Sequence, residues 1–184
     1  MTTIDDTLII DADEVQRILE ERALALAHSS HEDDPGDAVT LVILRLGSER
    51  YGVPIEHVRE IKPLDRVTAL SSTPPFWLGL ANLRGSLYPV LDLRRYLGVP
   101  GVSISTDPQL VLVSGGGMTI GLRVDEVLEV RSIQTSEIGP ALVERTADRA
   151  DIHTGLTKDL IAVLDVEAVL TDRSLVVQEG FDLS

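Results

Sequence analysis

The sequence predicts an all-β chain with a few short helices, folded as two small β-barrels related by a pseudo-twofold axis. Two internal echoes and one pattern lead there. Thr40-Leu41-Val42-Ile43-Leu44 returns as Gln109-Leu110-Val111-Leu112-Val113. Continuing both copies without a gap sets Gly52 on Gly121, Ile55 on Val124, Val58 on Val127 and Glu60 on Glu129. A second block repeats four residues further out of step: Leu83 on Leu156, Leu87 on Leu160, Val90-Leu91-Asp92 on Val163-Leu164-Asp165, and Leu97 on Leu170. A unit of roughly 70 residues that occurs twice means two similar modules packed as a pair. The pattern is one of many short strands, Gly turns and few helices, as in small barrels or a sandwich.

Residues 1–37 stand apart as an acidic arm. Asp11 to Ala27 reads as a helix, because Val15, Ile18, Leu19, Arg22, Ala23 and Leu26 recur at helical spacing. Asp13 with Gln16 suits a capping box, and acidic residues crowd the first turns, where the helix dipole favours them. His28 to Asp37 is a polar, acidic linker running through Pro35-Gly36. Two readings of the arm stand: a loosely attached segment, or a helix that docks on its own barrel or on a partner through Ile18, Leu19 and Leu26.

From Ala38 the pattern is strand-like. Val39–Leu46 is rich in β-branched residues, Gly47-Ser48-Glu49 turns it, and Arg50–Ile55 returns as the second arm of a hairpin. Glu56–Arg59 has room for one helical turn. Ile61 to Leu70 is broken by Pro63 and is expected to hold a short strand at Val67–Leu70, before Pro74-Pro75. Trp77–Leu83 and Leu87–Leu91 form another pair, turned at Arg84-Gly85-Ser86. Leu93–Leu97 is a short helix with Asp92 at its N-cap, closed by Gly98 with Pro100 beyond. In the second copy Gln109–Ser114 and Thr119–Val124 are strands joined by Gly115-Gly116-Gly117, and Asp125–Leu128 mirrors Glu56–Arg59. Leu160–Leu164 then leads through Asp165 into a helix, Val166–Leu170. The expected divisions are the arm, a first half over 38–105, a second over 106–178, and a tail over 179–184.

Composition narrows the function. Aromatic residues are few, so Val, Leu and Ile must fill the interior. The absence of cysteine removes disulfides, thiolate chemistry and Cys-based zinc sites, and fits a reducing compartment. No stretch approaches the ~20 apolar residues of a membrane span, and the N-terminus lacks a secretion-signal pattern. A cytoplasmic location is the expectation. The formal charge of −14 repels phosphate backbones and anionic lipid. Arg94-Arg95 beside Arg84 is too small a basic patch for nucleic acid.

Catalytic and metal-binding motifs fare no better. His28 and His31 can share a helical face, but acidic linkers carry such pairs by chance, and His57 and His153 have no local ligand partner. Gly115-Gly116-Gly117 lacks the following Lys-Ser/Thr and helix of a phosphate loop, so it reads as a hairpin turn. Asp92 and Asp165 each follow a strand and open a helix, so they read as two caps rather than an acid/base dyad. No Gly-x-Ser-x-Gly elbow is present. No metal site, cofactor or enzyme activity is expected.

What remains is asymmetry between the copies. The first has Asn82-Leu83-Arg84-Gly85 where the echo places Gly155-Leu156-Thr157-Lys158 in the second, and Tyr88-Pro89 where the second has Ile161-Ala162. Glu60 and Glu129 match, yet only the first copy offers an arginine in that turn, so Glu60 and Arg84 are candidates for an ion pair that fixes it.

The stretch Gly79-Leu80-Ala81-Asn82-Leu83-Arg84-Gly85-Ser86-Leu87-Tyr88-Pro89-Val90-Leu91-Asp92-Leu93-Arg94 resembles the signature of the CheW-like family. Tyr51 to Ile61 and Gly121 to Val130 resemble it too, so the likeness covers about residues 38–178 in three separated motifs. It implies two tandem five-stranded SH3-like barrels, no catalysis, and a role in coupling chemoreceptors to the histidine kinase CheA beside membrane-bound receptor arrays. It further implies a receptor groove at Val42, Ile55, Val58, Ile61 and Val124, where taken alone the residues read as core. A kinase surface is implied at Val67, Thr68, Leu70 and Pro74, with Arg84 near its rim. The long acidic arm departs from minimal coupling proteins. A regulatory module that binds a small molecule in the seam between the barrels stays open as the alternative.

Overall fold

β-Branched and leucine residues fill Ala38–Leu46, and side chains Leu41 to Leu44 are all buried. A strand buried on consecutive residues is covered on both faces, and this strand, β1, proves to be internal to its sheet. The computed structural model describes residues 16, 17, 20, 37–100, 105–140 and 152–175. The chain divides into two units, Met1–Asp34 and Pro35–Ser184. In the first, Gln16, Arg17 and Glu20 are helical; the rest of the expected helix from Asp11 to Ala27, and the tail, lie outside the described residues.

The second unit is mostly strand. β2 (Glu49–Pro54) follows β1, a 3₁₀ turn (Ile55–His57) leads to β3 (Val58–Pro63), and β4 (Trp77–Leu83) and β5 (Ser86–Asp92) form a hairpin before helix α1 (Leu93–Leu97). The second copy runs β6 (Gln109–Gly115), β7 (Met118–Val124), β8 (Glu126–Gln134), a 3₁₀ turn (Thr135–Glu137), β9 (Ile138–Gly139), β10 (His153–Thr157), β11 (Ile161–Leu164) and helix α2 (Val166–Thr171). Both expected caps form. Asp92 accepts from the Arg95 N–H at 3.2 Å and Asp165 from the Ala168 N–H at 2.9 Å, and Gly98 ends α1 in the left-handed conformation.

The strands make two sheets, in the orders β8-β1-β2-β11-β10-β9 and β3-β6-β7-β5-β4. This is the all-β, two-barrel architecture expected, with a two-residue sixth strand, β9, added to one sheet. Neither sheet is built from one repeat. The β1–β2 hairpin joins β8 to β11 of the second copy, and β6–β7 joins β3, β4 and β5 of the first. The boundary at residue 105 therefore separates the repeats and not the sheets. The cores follow the exchange. Leu41 and Ile43 pack with Ile133, Ile161 and Val163, and their repeat mates Leu110 and Leu112 pack with Ala81, Leu83 and Val90.

Glu56–Arg59 holds no more than the one turn expected, the 3₁₀ turn that ends at His57, because β3 begins at Val58, held by Val111 to Val113 of β6. Two local expectations give way. Asp125–Leu128 does not mirror that segment. Asp125 is a single bend and β8 starts at once, because Val127, Val130 and Ile133 extend a long pairing with β1. Val67–Leu70 supplies only the bridge Thr68↔Leu80, with both N–H···O contacts at 2.8 Å. At Gly79 the Thr68 carbonyl comes so close that an added Cβ would sit 1.9 Å from its oxygen.

Candidate functional site

The candidate site has two parts: the hairpin tip that carries the first copy's distinctive residues, and the crossovers where the chain passes between sheets. At the tip, Leu83 pairs with Ser86, leaving Arg84 (φ 52°) and Gly85 (φ 88°) as the two central residues. Two left-handed residues between paired strands make the turn whose twist suits a hairpin. The Asn82 side chain accepts from the Gly85 N–H at 2.9 Å and steadies it. Arg84 Nη2 then donates to Glu60 Oε1 at 3.3 Å, with the arginine side chain 78 % exposed and the glutamate 18 %. Glu60 lies on β3, at one edge of the five-stranded sheet; Arg84 lies at the end of the β4–β5 pair at the other. The contact thus spans the sheet's open edges.

The second copy closes its sheet differently. Gly155 sits opposite Val163 as Gly79 sits opposite Val90. Ten residues separate the first pair and seven the second, so Leu156 matches Leu80 rather than Leu83, and the Asn82–Gly85 tip has no counterpart stretch. In its place is a turn in which Leu160 takes the left-handed conformation (φ 60°) while 70 % exposed. Asp159 of that turn accepts from Arg131 of β8 at 2.9 Å and, through its carbonyl, from Arg50 at 2.7 Å. The edge strand now carries the arginine and the tip the acid, the reverse of Glu60 and Arg84.

The two crossovers differ as well. The first, Ile55–His57, leaves Glu56 exposed and brings His57 Nδ1 to 3.1 Å from the Ser114 carbonyl at the end of β6. The second is Asp125 alone, buried, with its N–H donating to the Arg45 carbonyl at 3.2 Å. Arg45 is the repeat mate of Ser114, so each crossover touches the other copy's hairpin. Beside the first crossover lies a groove of about 390 Å³, lined among others by Val39, Glu56, His57, Ile138, Val166 and Glu167.

The residues singled out from the sequence are distributed unevenly. Val42 and Val124 are fully buried and Ile61 nearly so, because β1, β3 and β7 are packed against neighbouring layers. Only Ile55 and Val58 of that set are half-exposed, and none of the five lines the 390 Å³ groove. Thr68, Leu70 and Arg84 are exposed, Val67 and Pro74 half-buried, and Val67 packs on the Ala81–Leu83 core. Sequence reasoning passed over Arg131, Asp159 and the Asp125 contacts. The signal was there: Asp125 and Glu56 are repeat mates with different side chains, and Asp159 is an acid in the turn that answers the arginine-bearing one. Among the described residues no cluster of His, Asp and Glu is arranged to hold a metal ion, and no helix is long and apolar enough to cross a membrane.

Comparison with known proteins gives this geometry a family. The model of the CheW-like domain matches residues 40–174. The chain belongs to the CheW-like family. Chemotaxis protein CheW of Klebsiella aerogenes is 32 % identical over 137 residues, covering 73 % of this chain and 82 % of that protein. CheW of Helicobacter pylori is 28 % identical over 154 residues, covering 82 % and 92 %. The crystal structure of the scaffolding protein TtCheW from Thermoanaerobacter tengcongensis superposes with a TM-score of 0.66 at 28 % identity, covering 75 % of this chain and 96 % of that one. The CheW-like match takes in both sheets, both crossovers and both hairpin tips.

Proposed function

We propose that the chain is a non-catalytic scaffold that couples chemoreceptors to the histidine kinase CheA in bacterial chemosensory signalling, in the cytoplasm beside receptor arrays. The observation that carries this is the CheW-like match across residues 40–174, joined to likeness to a solved scaffolding protein over nearly all of that protein's length. The receptor, a helical hairpin, is assigned to the seam at the first crossover. Ile55 and Val58, which are half-exposed, would touch it, while Val42, Ile61 and Val124 are buried and would act only through the core. Such a contact gains ~25 cal/mol per Å² of apolar surface covered. The kinase's regulatory barrel is assigned to the first copy's outer surface at Val67, Thr68, Leu70 and Pro74, with Arg84 at the rim. Two barrels side by side suit a pseudo-symmetric contact.

Reconstitution with receptor and kinase tests the reading, with and without residues 1–37. Kinase activity that rises only when this chain and receptor are both present supports it; activity indifferent to the chain refutes it. The 390 Å³ groove favours one second reading, a small-molecule regulatory module, since its volume lies within the ~300–1,000 Å³ of ligand pockets. Saturable thermal stabilisation by a metabolite, without kinase coupling, would establish that instead.

A further inference from the structure

Asp125 is the single residue between β7 of the five-stranded sheet and β8 of the six-stranded one. It is 1 % exposed, and each of its polar atoms is engaged. Oδ2 accepts from the Gly47 N–H, in the β1–β2 turn, at 2.7 Å, and Oδ1 accepts from Arg123 Nη1 at 3.4 Å. Its N–H donates to the Arg45 carbonyl, and its own carbonyl accepts from Ser105 Oγ at 3.0 Å. Arg123 Nη1 also lies 3.6 Å from Asp92 Oδ2, on the carboxylate that caps α1. A buried polar chain therefore runs from the β1–β2 turn through Asp125, Arg123 and Asp92 to α1, crossing from one sheet to the other. Such a chain has discrete geometry, because breaking one link leaves a desolvated charge behind. The repeat mate of Asp125, Glu56, is exposed, with its carboxylate 3.6 Å from the neighbouring His57.

We propose that Asp125 is a positioning residue: it latches the second crossover so that the two sheets hold one mutual orientation, and the seam at Ile55 and Val58 is thereby held in shape for its partner. The partner clause rests on the scaffold reading; the orientation clause does not.

Because the chain has no cysteine, S86C and K158C place a spin-label pair at the two exposed hairpin tips of the full chain without background. Distance measurement by electron spin resonance is expected to give one narrow distribution with Asp125 intact. D125N keeps an acceptor for Gly47 but loses the charge facing Arg123, and is expected to broaden that distribution while circular dichroism stays native. Affinity for a receptor-tip hairpin should fall about tenfold, the scale of a lost charge-assisted hydrogen bond. An unchanged distribution overturns the latch, and an unchanged affinity for the receptor-tip hairpin overturns its hold on the seam. If D125A fails to fold, D125N decides. A wild-type chain that binds neither partner refutes the scaffold reading, while the spin-label distances still judge the latch.

Discussion

The β4–β5 hairpin and its counterpart β10–β11 do the same job with opposite chemistry. Both carry, near their start, a glycine pressed against a neighbouring backbone, both reach across to the far edge of their sheet, and both end in an ion pair with that edge. The first puts arginine on the tip and glutamate on the strand; the second puts aspartate on the tip and arginine on the strand. The first has glycine in a left-handed position of its turn, the second leucine. The requirement common to both is backbone closure. Tip length, charge and exposure are free to differ, and that is where partner choice can be written without disturbing the fold.

The largest effect should come from the shared glycines. Gly79→Ala places a Cβ 1.9 Å from the Thr68 oxygen at φ +135°, and Gly155→Ala places one 2.4 Å from the Gly139 oxygen without that backbone restriction. Both should destabilise, Gly79→Ala by more than about 3 kcal/mol and beyond Gly155→Ala. Equal melting temperatures for the two would mean the closures are not ranked as described. Next is Val58→Glu, which should cut receptor-hairpin binding at least tenfold while the dichroism spectrum stays native, a scale of about 1.4 kcal/mol or more. Equal pull-down by mutant and wild type removes that surface from the seam.

Smaller effects separate the two tips. Arg84→Ala should weaken kinase activation more than it lowers the melting temperature, since an exposed ion pair contributes under ~1 kcal/mol. A large thermal shift with unchanged coupling would reverse the assignment. Double-mutant cycles on Glu60–Arg84 and Arg131–Asp159 should each give coupling below ~1 kcal/mol. Strict additivity in either shows that closure there is carried by backbone alone. The smallest change is Leu160→Gly, which relieves a left-handed leucine and should stabilise by about 0.5 kcal/mol after the entropy of glycine is set against it. Destabilisation would show that the exposed leucine packs on something the strain is balanced against.

Much of this was legible in the sequence. β4, the β1–β2 turn, both aspartate caps and α1 were placed from β-branching, Gly turns and capping chemistry, all local signals. The crossovers were not. Val58 and Val127 stand beside charged residues, and the choice between a helical turn and a strand is made by β6 and β1, far away in sequence. The leucine echo misled by three residues because its register is set by Val90–Asp92 and Val163–Asp165 after the turn, and the second hairpin is three residues shorter before it. Burial of Val42, Ile61 and Val124 was equally hidden, since periodicity shows that a face is apolar but not whether another layer covers it.

The exchanged hairpins also set an order on how the chain can acquire its structure as it is synthesised. Residues through Val124 contain all five strands of one sheet, so that sheet can assemble while the C-terminal segment is still being made. The other must wait. β1 finds β2 at once, yet Ala38 meets Gln134 only after most of the chain has appeared, and β2 meets β11 later still. A hairpin made first and enclosed last spends translation with Leu41 and Ile43 uncovered, which marks this segment as the one most in need of protection from aggregation before synthesis ends.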